Sequence, residues 1–318
     1  MFKSLIALAA TILIAANVHA QPYPSKTIRL ILPFPAGSAT DQIARIVGKD
    51  MAETLGQSVV IENKPGAGGA IAAEFVAKSP PDGYTLLVGS NTQLAANPSL
   101  FKNLSYNPVT DFAPVVRMTT QPSAFLVRPD FPAKNIAEFV AYVKANPKRQ
   151  FSGGYGASSA QVAIARLQSL SGINVLVVPY KSMPLAVVDT IGGTVDFTVG
   201  DMGSAITQVK GGKLKSLGAT SEKRNPLAPD WPTVAETYAD FNVIGWHGIV
   251  APAKTPSDII NKLYAAAAKA LAKNAVIETL ASMGVTPGLM TPDEFGAYLP
   301  VEVKRWGEMI KQAGINPE

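Results

Sequence analysis

Small, hydroxyl-bearing residues gather where strand-like runs of the 318-residue chain give way to helix-like ones. Pro33-Phe34-Pro35-Ala36-Gly37-Ser38-Ala39-Thr40 follows the apolar run Ile28 to Leu32 and precedes a helical pattern opened by Asp41. Gly89-Ser90-Asn91-Thr92-Gln93 follows Thr85 to Val88, and Ser152-Gly153-Gly154-Tyr155-Gly156-Ala157-Ser158-Ser159 precedes another helical run. A helix starting at such a loop leaves its first N–H groups unpaired at the positive end of its dipole, where a carboxylate or phosphate is welcome. This is the chemistry of holding an anion, since no evident nucleophile accompanies it.

The candidate contacts are therefore Phe34, Ala36, Gly37, Ser38 and Asp41 on the first loop, Ser90, Asn91 and Thr92 on the second, and Ser152, Gly154, Ala157 and Ser158 on the third. Asp41 reads first as the cap of its helix, and Ser90 and Thr92 can equally cap the helix that follows them. Asp201, just past an apolar run ending at Val199, is placed to meet a ligand hydroxyl or ammonium or to cap the next helix. Two phosphate motifs fail: Gly154-Tyr155-Gly156 lacks the third glycine of a dinucleotide fingerprint, and Asn63-Lys64-Pro65-Gly66-Ala67-Gly68-Gly69 lacks the glycine-lysine-serine order of a phosphate loop.

Composition narrows the classes further. There is no cysteine, which excludes disulfides, thiolate metal sites and a cysteine nucleophile. Of two histidines, His19 lies in an N-terminal stretch with Lys3, an apolar run from Leu5 to Ile14 and Val18-His19-Ala20, the pattern of a signal peptide ending at residue 20. That leaves His247, within Gly245-Trp246-His247-Gly248, as the one imidazole expected after processing. It reads as a packed or hydrogen-bonded residue, because a triad or histidine metal site has no second imidazole to use. No catalytic residue, cofactor or metal is expected. The net charge of +5 is mild and unclustered, which argues against nucleic acid and suits small anions.

The elements that must position these loops are α/β. Strand-like runs at 58–61, 85–88, 115–118, 124–127, 174–178, 196–199, 215–219 and 243–250 alternate with helical patterns at 41–55, 70–78, 135–145, 158–171, 183–191 and 202–210. The alternation predicts two mostly parallel sheets flanked by helices. Extended stretches at 112–128 and 242–252 are the expected crossings, giving a discontinuous first domain of 21–121 and 246–318 and a second of 122–245 around a cleft. Three consecutive helices are expected to close the chain, one from Pro256 through Lys273 and the last from Pro292 to Gln312.

Several motifs, in this order and spacing, carry a family resemblance: Tyr23-Pro24-Ser25-Lys26, Pro33 to Gly37, Glu62 to Gly69, Pro81 to Leu87, Val178-Pro179-Tyr180-Lys181, Gly212-Lys213-Leu214-Lys215 and Pro232 to Glu236. Together they resemble the substrate-binding receptors of tripartite tricarboxylate transporters, the Bug receptors, over essentially the whole chain after residue 20. The resemblance implies a type II periplasmic binding-protein fold. Its two domains would close on an organic acid, a di- or tricarboxylate or a phthalate-type aromatic acid, for delivery to a membrane permease; the alternatives are an exported hydrolase or isomerase of an organic acid, with His247, Asp41 or Asp201 as base, and a receptor that serves a membrane sensor. The resemblance implies a periplasmic, monomeric, non-enzymatic receptor whose contacts include the aligned loops and Tyr180. Ser38, Gln161, Ser182-Met183 and the Gly200-Asp201 pair depart from the common pattern and bear on ligand identity.

Overall fold

The computed structural model describes residues 23–180 and 182–317, so the signal-peptide expectation lies outside the described residues. Strand β1 (Ile28–Leu32) pairs in parallel with β2 (Val59–Asn63) on one side and β3 (Thr85–Ser90) on the other, with Leu30 facing Ile61 and Leu86 in register. Helices α1 (Ala39–Leu55) and α2 (Ala70–Ala77) make the crossovers. Strands β4 (Phe112–Gln121), β10 (Gly245–Pro252) and β11 (Thr286–Met290) complete a sheet ordered β11-β4-β10-β3-β1-β2.

The second sheet, ordered β7-β6-β8-β5-β9, holds β5 (Ser123–Val127), β6 (Ser152–Tyr155), β7 (Leu176–Pro179), β8 (Phe197–Asp201) and β9 (Lys215–Ala219). Its helices are α4 (Ile136–Ala145), α5 (Ser158–Ser171), α6 (Met183–Gly192) and α7 (Met202–Lys210), α3 being the short Asn97–Leu100 turn of the first unit. The expected α/β class with two helix-flanked sheets is present. The sheets are less parallel than the alternation predicts, because β10 runs antiparallel to both β3 and β4, β11 to β4, and β5 to both β8 and β9. A chain that passes from one sheet to the other and back must insert returning strands, and these are the antiparallel ones.

Both faces of β1 are covered, which explains its nearly unbroken apolar run. Ile28, Leu30 and Leu32 share one cluster with Ile43, Val47 and Met51 of α1 and with Leu263 and Ala267 of α8 (Ser257–Leu271). Ile31 points the other way, into a cluster with Ala72, Ala73, Val76, Phe295 and Trp306, as the two-residue period of a strand requires. The second unit is organised by aromatics: Phe139 meets Phe197 edge-on at 5.1 Å between centroids, and Phe125 stacks on Phe197 at 6.2 Å.

The C-terminal expectation is corrected in one respect. After α8 and α9 (Asn274–Ser282) the strand β11 intervenes before α10 (Pro292–Gln312), so the three helices are not consecutive. Helix α10 begins with a capping box, Thr291 and Glu294 satisfying each other's backbone N–H groups. Its buried stripe is Phe295, Leu299, Glu302, Trp306, Met309 and Ile310. The Glu302 carboxylate accepts from the indole N–H groups of Trp246 (2.8 Å) and Trp306 (3.2 Å) and from Arg305 (2.6 Å), while Arg305 also donates to the Asn242 carbonyl. A buried charge thus ties the helix to the chain where it returns from the second sheet.

Only Pro122 separates β4 from β5. The outgoing and returning segments are joined through Thr220, whose hydroxyl accepts from Ser123 N (2.9 Å), whose N–H donates to the Ser123 carbonyl (2.8 Å), and whose carbonyl accepts from Val243 N (2.9 Å).

Candidate functional site

The loops after β1, β3, β6 and β8 all leave the carboxyl ends of their strands and converge on a cleft between the two sheets, the place where open α/β sheets bind ligands. The cleft encloses about 240 Å³. The first unit lines it with Phe34, Thr40, Ser90, Asn91 and Thr92, the crossing strands with Gln121, Ser123, Gly245 and His247, and the second unit with Ala157, Ser159, Ala160, Met183 and Asp201.

The β1–α1 loop is held by a buried carboxylate. Ser38, not Asp41, is the N-cap of α1: its hydroxyl accepts from Asp41 N (3.2 Å), and the helix begins at Ala39. The expected cap is corrected because Ser38 has the extended backbone a cap needs, while Asp41 already lies in the first helical turn. The Asp41 carboxylate instead accepts from Gly37 N, Arg45 Nε, Arg45 Nη2 and Asn63 Nδ2, each at 2.9 Å. Asn63 Nδ2 also donates to the Phe34 carbonyl at 2.9 Å. The Arg45 guanidinium, helped by the Gly37 and Asn63 donors, holds this carboxyl at about 2 despite burial. Gly37 takes φ +81°, a left-handed conformation that suits glycine.

At the end of β3 the hydroxyl of Ser90 is already committed. It donates to Gln93 Oε1 (3.0 Å) and accepts from Thr92 N (3.1 Å), and Gln93 Nε2 in turn donates to the Gly68 carbonyl (3.0 Å). Ser90 therefore shapes the cleft more than it donates into it. Residues Thr92–Ala96 wind as a wider π turn, and Asn91 and Thr92 at its start line the cleft. Asn91 Oδ1 accepts weakly from Trp246 N at 3.4 Å, so its amide donors remain for a ligand.

In the second unit the N-termini of α5 and α6 both reach the cleft, and neither N-cap residue, Ala157 or Ser182, makes a side-chain capping bond. The first amides of α5 are left for another acceptor, whereas in α6 Pro184 at the second position has no N–H and the leading amide is that of Met183. Asp201 lines the cleft and also caps α7, its Oδ1 accepting from Ser204 N at 2.9 Å. Gly156 sets the approach of the two helices: a Cβ there would lie 2.2 Å from Met183 N and 2.3 Å from Ser182 C.

Among the predicted contacts, then, the structure brings Phe34, Ser90, Asn91, Thr92, Ala157 and Asp201 together around the cleft. Ala36 and Gly37 are exposed, and Ser38 and Asp41 act within the loop. Gly154 lies within β6, and Ser158 opens α5. Ser152 starts β6, at the end away from the cleft, where its N–H donates to Asp196 at 2.8 Å. The Tyr180 hydroxyl donates to Asp189 at 2.7 Å, and burial together with that carboxylate pushes its pKa up to about 12. Thr40, Gln121, Ser123, Ser159, Ala160, Met183, Gly245 and His247 line the cleft without being among the expected contacts; Gln121, Ser123 and Gly245 do so because the strands that cross from one sheet to the other pass it.

The floor of the cleft is His247, 5% exposed, with Thr40 Oγ1 3.1 Å from Nε2 and Thr119 Oγ1 3.0 Å from Nδ1. Burial lowers its pKa to about 4, so the ring is neutral at pH 7. Among the described residues no arginine or lysine lines the cleft, and no group of three or more His, Asp or Glu is placed to hold a metal ion. A second hollow of about 250 Å³, lined by Arg166, Glu222, Asp240, Arg305 and Glu308 among others, mixes charges of both signs and receives no strand end.

Comparison with known proteins places this geometry. Residues 43–315 match the family described as the tripartite tricarboxylate transporter family receptor. The chain belongs to that receptor family. It is 34% identical to the Bordetella pertussis protein BugT, over 96% of this chain and 94% of BugT. A protein of R. palustris solved with adipate is 30% identical, with a TM-score of 0.79 over 93% of this chain and all of the other. MatC from Rhodopseudomonas palustris, solved with bound malate, is 32% identical, with a TM-score of 0.73 over 91% of this chain and all of MatC. Members of this Bug receptor family are periplasmic solute-binding proteins, and the two-sheet architecture with its cleft is theirs. Among the described residues no helix is long and apolar enough to cross a membrane.

Proposed function

We propose that the protein is an exported periplasmic receptor that closes its cleft on a small organic dicarboxylate and delivers it to the membrane subunits of a tripartite tricarboxylate transporter. The observation that carries this reading is the pairing of two uncapped helix N-termini, α5 and α6, with neutral donors from the first unit across one cleft. Aligned amides and amide or hydroxyl side chains hold a carboxylate without burying a lysine or arginine beside it. A volume of about 240 Å³ lies below the roughly 300–1,000 Å³ of pockets for drug-sized ligands and suits a molecule of a few carbons. The relatives solved with adipate and malate support a dicarboxylate.

Closure is proposed to occur at Pro122 and at the returning segment before β10, with domains of residues 21–121 plus 246–318 and 122–245. A ligand that touches both domains binds the closed form better and shifts the population toward it. No catalytic step is proposed, because the imidazole in the cleft has a pKa of about 4 and both nitrogens occupied by threonines, a poor base at neutral pH.

The test is a thermal-shift panel of mono-, di- and tricarboxylates, phthalate included, with product analysis alongside. A dicarboxylate that raises the melting temperature with concentration, unchanged after incubation, supports the proposal. Consumption of the acid, or stabilisation only by uncharged solutes, contradicts it.

A further inference from the structure

The imidazole under the cleft is wired to two hydroxyls whose protons can be counted. His247 sits between Ser90 of β3 and Thr119 of β4, and the β10–β4 register slips between His247 and Gly248. Such a bulge re-aims a side chain, and here it places the ring between Thr119 on the sheet and Thr40 in the first turn of α1.

Thr119 is wholly buried, and among the described residues its hydroxyl meets no acceptor other than His247 Nδ1, at 3.0 Å. Were Nδ1 protonated, it would donate to Thr119 and leave the threonine's own proton buried without an acceptor. Such an orphan costs more than an ordinary hydrogen bond gains. Thr119 therefore donates to Nδ1, and a neutral ring carries its proton on Nε2. That N–H donates to Thr40 Oγ1, whose own proton is then free. Thr40 is 5% exposed and lines the cleft, so the free proton faces ligand.

We infer that His247, held in its Nε2–H tautomer by Thr119, turns the Thr40 hydroxyl into a fixed donor to a carboxylate oxygen of the ligand. This rests on the receptor reading above and adds a positioning pair to it. Thr119 touches no ligand in this arrangement, yet it decides the sense of the hydrogen bond at the cleft. In the opposite tautomer Thr40 would donate to Nε2 and present lone pairs to the ligand, repelling a carboxylate and favouring an alcohol or amine.

Nitrogen-15 NMR of protein made without a histidine tag reads the wiring directly, because the chain has two histidines, His19 and His247. The expected result is an unprotonated Nδ1 and a protonated Nε2 for His247 at pH 7. A protonated Nδ1 overturns the inference whether or not any acid binds.

The second arm is Thr119→Val, which keeps the shape and removes the donor. It removes the donor to Nδ1 without supplying an acceptor, so the two tautomers should coexist, and the Kd for whichever of malate or adipate binds the parent should rise by about 2- to 3-fold as the competent form is diluted. Thr119→Ser should restore both readouts. A Thr119→Val protein that keeps the Nε2–H tautomer overturns the inference, as does one that binds with unchanged affinity. Failure of the parent to bind any carboxylate would count against the receptor reading, while the tautomer arm still decides the wiring.

Discussion

Replacing Asp41 by asparagine removes a charge that never reaches the cleft, and both stability and binding should suffer. The carboxylate is 3% exposed and accepts four hydrogen bonds, from Gly37 N, Asn63 Nδ2 and two Arg45 nitrogens. These lower its pKa from 3.8 to about 2. At about 1.36 kcal/mol per unit, the displacement corresponds to roughly 2 kcal/mol favouring the folded state. Arg45 is 51% exposed, so solvent screens part of that and the figure is an upper one.

The folded carboxyl is the more acidic, so its contribution is complete above about pH 4 and is lost as the pH falls through the folded value of about 2. Asp41→Asn should therefore melt a few degrees below the parent at pH 7, with the gap narrowing toward pH 2. Because Gly37 and Asn63 hold the loop through this group, the Kd for a bound carboxylate should also rise by about 3- to 10-fold. Denaturant titration at a series of pH values, paired with calorimetry, measures both effects. Equal stability at pH 7 and equal affinity would show that Asp41 neither stabilises the fold nor holds the loop.

Other outcomes follow from the same geometry. Gly156→Ala puts a Cβ 2.2 Å from Met183 N, so it should separate the α5 and α6 N-termini and abolish carboxylate binding while circular dichroism stays near native. Glu302→Ala strands two buried indole N–H groups and Arg305, at a cost of about 3–5 kcal/mol in denaturant unfolding. Glu302→Gln, which keeps an acceptor for the indoles, should cost less.

The strand-loop-helix units were legible because strands covered on both faces are continuously apolar and the helices that follow announce themselves by small, hydroxyl-bearing loops. What failed depended on register or on distant partners. Ser152 reads in the sequence as equivalent to Ser158, yet it sits at the end of β6 away from α5, and only strand pairing reveals which end faces the cleft. Asp41 looked like a cap because its partner Asn63 lies 22 residues away on β2. Strand β11 carries Thr-Pro-Gly-Leu-Met, two of whose residues disfavour strands, and is held as an edge by β4. His247 was rightly read as hydrogen-bonded, but its partners Thr40 and Thr119 come from separate elements joined by a bulge that no local pattern signals.

In the proposed receptor, neutral donors and two helix ends without side-chain caps hold a carboxylate between the two sheets. Isothermal titration calorimetry of the purified protein with malate, adipate and the uncharged diamide of adipic acid tests it most directly. The expected result is saturable one-to-one binding of at least one of the two acids and none of the diamide. Binding of the diamide as tight as that of its acid, or no binding of either acid, would contradict it.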